Sequence, residues 1–218
     1  MARNKYPEET VNLILDVSAK LFIEKGYDET SIQDIIDHLG GLSKGAIYHH
    51  FKSKESILVA IFDRIGEVTE YQMSAIREDK SLTGLEKLKK MFASSLMDSD
   101  SLEMFAAAPN LIQNPRLLAM QMVSMMEDVV PNYIEPVICQ GIKDGSIQTD
   151  YPKELGEMLI LMSNIWMNPL VYSMTREEIM SKIAFFKHFT EAIGVPVMDK
   201  ELEQRLERFC ELVKKPDE

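Results

Sequence analysis

Residues 30–55, TSIQDIIDHLGGLSKGAIYHHFKSKE, constrain the fold of this 218-residue chain more than any other stretch. Ile32, Ile35, Ile36 and Leu39 recur at helical spacing, and Ala46, Ile47 and Phe51 do so again beyond Gly40 and Gly41. Glycine enters left-handed backbone freely, so the pair separates two short amphipathic helices. The second of them carries Ser43, Lys44, Tyr48, His49 and His50 and no acid. Two short helices joined by a glycine turn are the build of a helix-turn-helix, whose second helix enters a DNA major groove.

The formal net charge of −11 argues against this. Its distribution removes the objection. Residues 1–54 hold seven Lys/Arg against eight Asp/Glu, which leaves −10 for the other 164 residues. Residues 40–54 contain Lys44, Lys52 and Lys54 and no carboxylate. With a Debye length of about 8 Å at physiological salt, a distant acidic body repels DNA only weakly.

The remaining composition, 45% hydrophobic and 27% charged, is that of a globular chain long enough to bury a core. It has no apolar run of about 18 residues. The N-terminus, MARNKYPEET, lacks the apolar segment of a signal peptide, so a cytoplasmic protein is expected. Cys139 and Cys210 form no metal-like cluster and read as free thiols.

Strand patterns are nearly absent, so the predicted class is all-α. Pro7, Glu8 and Glu9 suit the start of a first helix that Gly26 ends. Thr30 with Gln33 has capping-box spacing for the second. Ser43 opens the third, which ends near His50, and Ser53 caps a fourth reaching past Met73. Further helices are expected near 82–97, 101–108, 115–143, 152–168, 176–193 and 199–214, with Pro131 and Pro136 kinking or splitting the longest. This organisation divides the chain into a head of three helices at 1–55 and a larger helical body at 56–218, joined by the helix near 53–78.

On the head, Ser43, Lys44 and Gly45 open the third helix toward bases, with Ala46 beside them and Tyr48 and His49 one turn on. His50 and Lys54 are placed to reach phosphates. Thr30 and Ser31, with the free N–H groups of the second helix, offer another phosphate site.

The order Gly26-Tyr27, Thr30-Ser31, Gly41-Leu42-Ser43-Lys44-Gly45, Tyr48-His49-His50-Phe51 and Lys54 resembles the N-terminal domain of TetR-type transcriptional repressors over roughly residues 8–65. The resemblance implies DNA contact by Ser43, Lys44, Gly45, Tyr48, His49, His50 and Lys54, and core packing for Phe51. Gly40 is one turn residue more than that pattern has, and Ile36 stands where it often has alanine. The resemblance also implies a homodimer built on the last two large helices, here through Leu159, Ser163 and Met167 on one and Ile179, Ile183 and Phe186 on the other.

Fifteen methionines, ten of them singled out in the body, suit an adaptable apolar pocket. Its expected lining is Met97, Phe105, Gln121, Met122, Met125, Met162, Asn164, Trp166 and Tyr172. No catalytic constellation, metal-ligand spacing or cofactor motif is present in the sequence. The expected protein is a regulator released from an operator in double-stranded DNA by a small, largely apolar ligand. The alternative is a helical small-molecule binding protein or enzyme whose N-terminal bundle is structural.

Overall fold

The structure, a computed structural model, describes residues 7–41, 44–95, 104, 107–200 and 202–206. All regular structure among these residues is helical. Helix α1 (Pro7–Lys25) has the bounds its sequence predicts, with Glu8 and Glu9 at its positive end and Lys25 at its negative end.

Helix α2 (Ile32–His38) starts later than expected. Ser31, not Thr30, is its N-cap. The Ser31 hydroxyl accepts from the Asp34 N–H at 3.1 Å, and Asp34 reaches back to the Ser31 N–H at 2.8 Å. An aspartate thus closes the capping box expected of Gln33. Gly40 and Gly41 follow with φ of 60° and 110°, backbone that other residues rarely adopt, and the chain turns into α3 (Lys44–His50). The cap expected of Ser43 lies outside the described residues.

Ser53 caps α4 (Lys54–Glu78) in a reciprocal pair with Ser56. The first half of α4 belongs to the head, where Ile57, Leu58 and Ile61 close a core with Ile14, Leu21, Phe22, Ile35 and Ile47. Its second half belongs to the body, where Met73 joins Leu88, Met91, Phe92, Ile134 and Ile138. The two cores are not sealed from each other by sequence position, because Leu111, Leu117, Leu170 and Val171 pack into the head cluster.

Helix α5 (Gly84–Ser95) lies so close to the later helix Glu135–Asp144 that a Cβ on Gly84 would run into the Gly141 backbone. The start of α5 is tied down by Asp144, which accepts from the Gly84 N–H at 2.8 Å, and by Ser146, which accepts from Leu85 at 3.1 Å. Of the helix expected at 101–108 only Met104 is described as helical.

The segment expected at 115–143 to kink or split at Pro131 and Pro136 is divided into three stretches. It runs as α6 (Pro115–Ser124), a π-helical stretch (Met125–Ile134) and α7 (Glu135–Asp144) without leaving helical backbone. Pro131 has no N–H to donate and its ring crowds the preceding turn. A wider turn answers both demands, and the Glu135 N–H reaches back to Val130 O across it. Pro136 follows in the first turn of α7, and the Asn132 carbonyl four residues before it accepts from Arg77 at 2.6 Å.

Helix α8 (Pro152–Leu161) also widens, at Met162–Trp166. There Ser163 donates to Leu159 O at 2.9 Å and Asn164 to Ile160 O at 3.2 Å, supplying side-chain donors where the backbone ladder is loosened. Helix α9 (Arg176–Ala192) begins with a Thr175–Glu178 capping box. Residues 202–206 are helical, and the remainder of the helix expected at 199–214 lies largely outside the described residues. No described helix is long and apolar enough to cross a membrane.

Candidate functional site

In the head, α3 is set by its one fully buried residue, Ile47, together with Phe51 just beyond it. Anchoring Ile47 inward turns Lys44, Gly45, Tyr48 and His49 outward, at the i, i+1, i+4, i+5 spacing of one helix face. Tyr48 is 38% exposed, with the Lys44 ammonium 5.9 Å from its ring centre. The His49 and His50 rings meet edge to face at 5.1 Å, and Lys52 donates to Tyr48 O at 3.0 Å. Ala46 and His50 are half-buried at the edges of the face, and Ser43 lies outside the described residues. The result is a small acid-free surface of cations, aromatic rings and bare backbone, suited to a polyanion.

Three expectations at its border are corrected. Thr30 is 1% exposed, and its hydroxyl donates to Gly26 O at 2.8 Å and Leu21 O at 3.2 Å. Its N–H goes to Tyr27 O, so Thr30 ties α1 to α2 and has no donor for a phosphate. Ser31 is exposed, but Asp34 accepts from its N–H and its hydroxyl and also from Lys25 at 2.9 Å. These bonds, the Ser31 hydroxyl foremost, hold the Asp34 carboxyl well below the usual carboxylate range. The start of α2 is therefore occupied by an anion of its own. Lys54 is turned the third way. Its ammonium donates to Tyr27 O at 2.6 Å and Asp28 O at 3.2 Å and lies 4.2 Å from the Tyr27 ring centre. Burial pushes its pKa down, against the opposing pull of Asp28 and Glu29. It clamps α4 onto the end of α1.

In the body, a cavity of about 560 Å³ opens between the two cores. That size is within the range of small-molecule sites. Its walls come from Val59 to Met73 of α4, Met91 and Phe92 of α5, Leu117 to Ser124 of α6, and the loop residues Ala108, Pro109, Leu111 and Leu170. Both π-helical stretches face it, the first through Met125, Asp128, Val129, Tyr133 and Ile134, the second through Ser163 and Asn164. Widened turns are frequent at binding sites because they aim side chains that a regular helix would point elsewhere.

Of the lining expected from sequence, the structure brings Gln121, Met125 and Asn164 together here. Met122 and Met162 pack on the body core instead. Trp166 meets Phe185 edge to face at 5.6 Å, and Lys182 sits 4.9 Å from its ring centre and 5.2 Å from that of Tyr172. Those two aromatics therefore mark a different surface. Met97 and Phe105 lie outside the described residues. The contribution of α4 was not foreseen. Its signal was present in Phe62, Ile65, Thr69 and Met73, a stripe that continues past the point where the head core ends.

The expected dimer face is also corrected. Leu159, Met167, Ile179, Ile183 and Phe186 are all buried within the single chain, and Ser163 lines the cavity. The opposite sides of the same helices are open: Met158 of α8 is exposed, as are Ser181, Ala184, Phe185 and His188 of α9. Phe185 also stacks on Phe189 at 6.3 Å. Among the described residues no group of His, Cys, Asp or Glu could hold a metal ion, and Cys139 is a free thiol.

Known proteins resemble both halves. The family model described as bacterial regulatory proteins, tetR family, matches residues 14–61, and that of the tetracyclin repressor-like C-terminal domain matches residues 103–189. The chain is 30% identical over 152 residues to the HTH-type transcriptional repressor KstR2 of Rhodococcus jostii (strain RHA1), across 65% of this chain and 70% of that protein. It is 25% identical over 150 residues to the fatty acid metabolism regulator protein of Bacillus subtilis (strain 168), across 67% and 75%. A transcriptional regulator from Cytophaga hutchinsonii ATCC 33406 shares the fold with a TM-score of 0.57 at 15% identity, over 94% of this chain and 95% of that one.

Proposed function

Because the chain belongs to the TetR family of bacterial regulatory proteins, which are transcriptional regulators rather than enzymes, we propose that it is a dimeric repressor released from its operator by a small, largely apolar ligand. Residues 1–55 serve as the DNA-reading head and 56–218 as the sensing and pairing body. The exposed face of α3 enters the major groove through Lys44, Gly45, Tyr48 and His49. One such helix makes few contacts, so two copies read two half-sites about 34–36 Å apart, or a multiple of that. The pairing surface is the open side of α8 and α9 around Met158, Ala184 and Phe185.

One observation carries the mechanism. Helix α4 begins four residues after α3 ends, anchors in the head core at Ile57 and Ile61, and then forms a wall of the cavity. Ligand in the cavity and the position of α3 therefore act on one rigid element. The Arg116–Glu55 ion pair, 3.4 Å, adds a second link between α6 and the start of α4. The ligand works by binding one dimer state better than the other. Taking the population from 1:99 to 99:1 needs about 5.5 kcal/mol of differential affinity.

The test is fluorescence anisotropy of the full chain with a duplex from the promoter beside its own gene and with a scrambled duplex. For 6–10 phosphate contacts, affinity should fall by about 10³–10⁵ between roughly 50 and 200 mM salt. Equally negligible binding of both duplexes at low salt would sink the proposal.

A further inference from the structure

The cavity is apolar in its depth and acidic at its mouth. Asp63, Glu67 and Glu70 share one stripe of α4 at i, i+4 and i+7, and Asp128 also lines the cavity from the π-helical stretch. These four carboxylates are exposed, whereas Met91, Phe92, Tyr133 and Ile134 of the same lining are buried. Although the chain has 24 Lys and Arg, among the described residues no Lys, Arg or His lines the cavity.

The basic residues of α4 and α6 all have other partners, and the Arg77 guanidinium lies 5.2 Å from the ring centre of Tyr133, a cavity residue. Lys54 holds the Tyr27 and Asp28 carbonyls, and Arg64 pairs with Asp16 at 2.8 Å. Arg77 donates to Asn132 O at 2.6 Å, and Arg116 pairs with Glu55. None of the four cavity carboxylates has an ion-pair partner among the described residues. Two of them are nonetheless held in place. The Tyr133 hydroxyl, on a side chain 6% exposed, donates to Glu70 at 2.9 Å, and Asn132 donates to Asp128 at 2.7 Å. Like charges one turn apart on a helix repel. A cation at the mouth would relieve that repulsion, and a carboxylate or phosphate would add to it.

We propose that this cavity takes a lipophilic monocation, with its apolar body on the buried floor and its charge among Asp63, Glu67, Glu70 and Asp128. The inference rests on the reading of the cavity as the effector site and names the chemistry of that effector. A fatty carboxylate of similar size would meet four charges of its own sign.

Isothermal titration of the full chain with three probes tests this: tetraphenylphosphonium, tetraphenylborate of similar shape and opposite charge, and neutral triphenylphosphine oxide. The phosphonium should bind about tenfold more tightly than the oxide, the scale expected for one charge near partly solvated carboxylates, and the borate more weakly than the oxide. The double variant Asp63→Asn, Glu67→Gln should lose the phosphonium preference and keep oxide binding. Glu177→Gln, outside the cavity, should change neither. Gly66→Trp, at a lining position with open space around it, should block all three probes, with circular dichroism verifying the fold. Equal binding of the three probes, each lost in Gly66→Trp, overturns the charge assignment and leaves the effector cavity standing. A preference that survives in the double variant reflects the diffuse acidity of the chain and also overturns it. Failure of every probe to bind overturns both readings.

Discussion

A threonine, a lysine and a tyrosine within the head show how one side chain's direction decides its role. Thr30 and Lys54 have the polar ends that DNA contact needs, but each spends them on carbonyls near the end of α1. Tyr48 has its ring in solvent. Lys54→Ala should therefore lower the thermal midpoint of the head, whereas Tyr48→Ala should leave the midpoint unchanged and weaken binding to the promoter duplex. Melting curves and anisotropy on the same two variants separate the roles, and a strong loss of stability in Tyr48→Ala would reassign it to the core. Asp34 adds a pH dependence. Its folded pKa is depressed, so the stabilisation is fully present above the ordinary carboxylate pKa of about 3.9 and is lost as pH falls below it. Asp34→Asn should flatten that acid limb of the stability profile, as urea melts between about pH 5 and 2.5 can register.

At the scale of elements, helix identity was legible from spacing, but helix type was not. The 3.6-residue period placed α1, α4 and α9 because one face of each must be apolar to reach a core. The π-helical stretches escaped because a wider turn shifts the period only locally, and proline alone signals a lost donor without saying how the chain will absorb it. The α5–α7 contact is similar. Gly84 falls inside the helix expected near 82–97, where nothing in the spacing marks a close contact, and only the structure puts it against the Gly141 backbone. Gly84→Ala should cost about 1–3 kcal/mol by overpacking, since the obstacle is backbone and cannot rotate away. Urea denaturation measures it, and an unchanged midpoint would mean that α5 can shift freely on α7.

For the whole molecule, the decisive distinction is between faces of α8 and α9. Phe185 and Phe186 are adjacent in sequence, yet one is 52% exposed and the other 1%. Phe186→Ala should destabilise the chain by about 3–5 kcal/mol through a core cavity. Phe185→Glu should leave the fold intact, shift the protein toward monomer in analytical ultracentrifugation and weaken promoter binding through loss of the second half-site. A dimer unaffected by Phe185→Glu would move the interface elsewhere.

Local order along the chain was enough to determine an all-helical protein with an acid-free third helix, because capping, glycine turns and apolar periodicity act over a few residues. Which side of α8 and α9 stays open, and how α4 comes to wall a cavity with acids at its mouth, depended on contacts between residues far apart in sequence. Periodicity identifies an apolar face but does not distinguish burial against its own chain from burial against another, and only the packed helices resolve that choice.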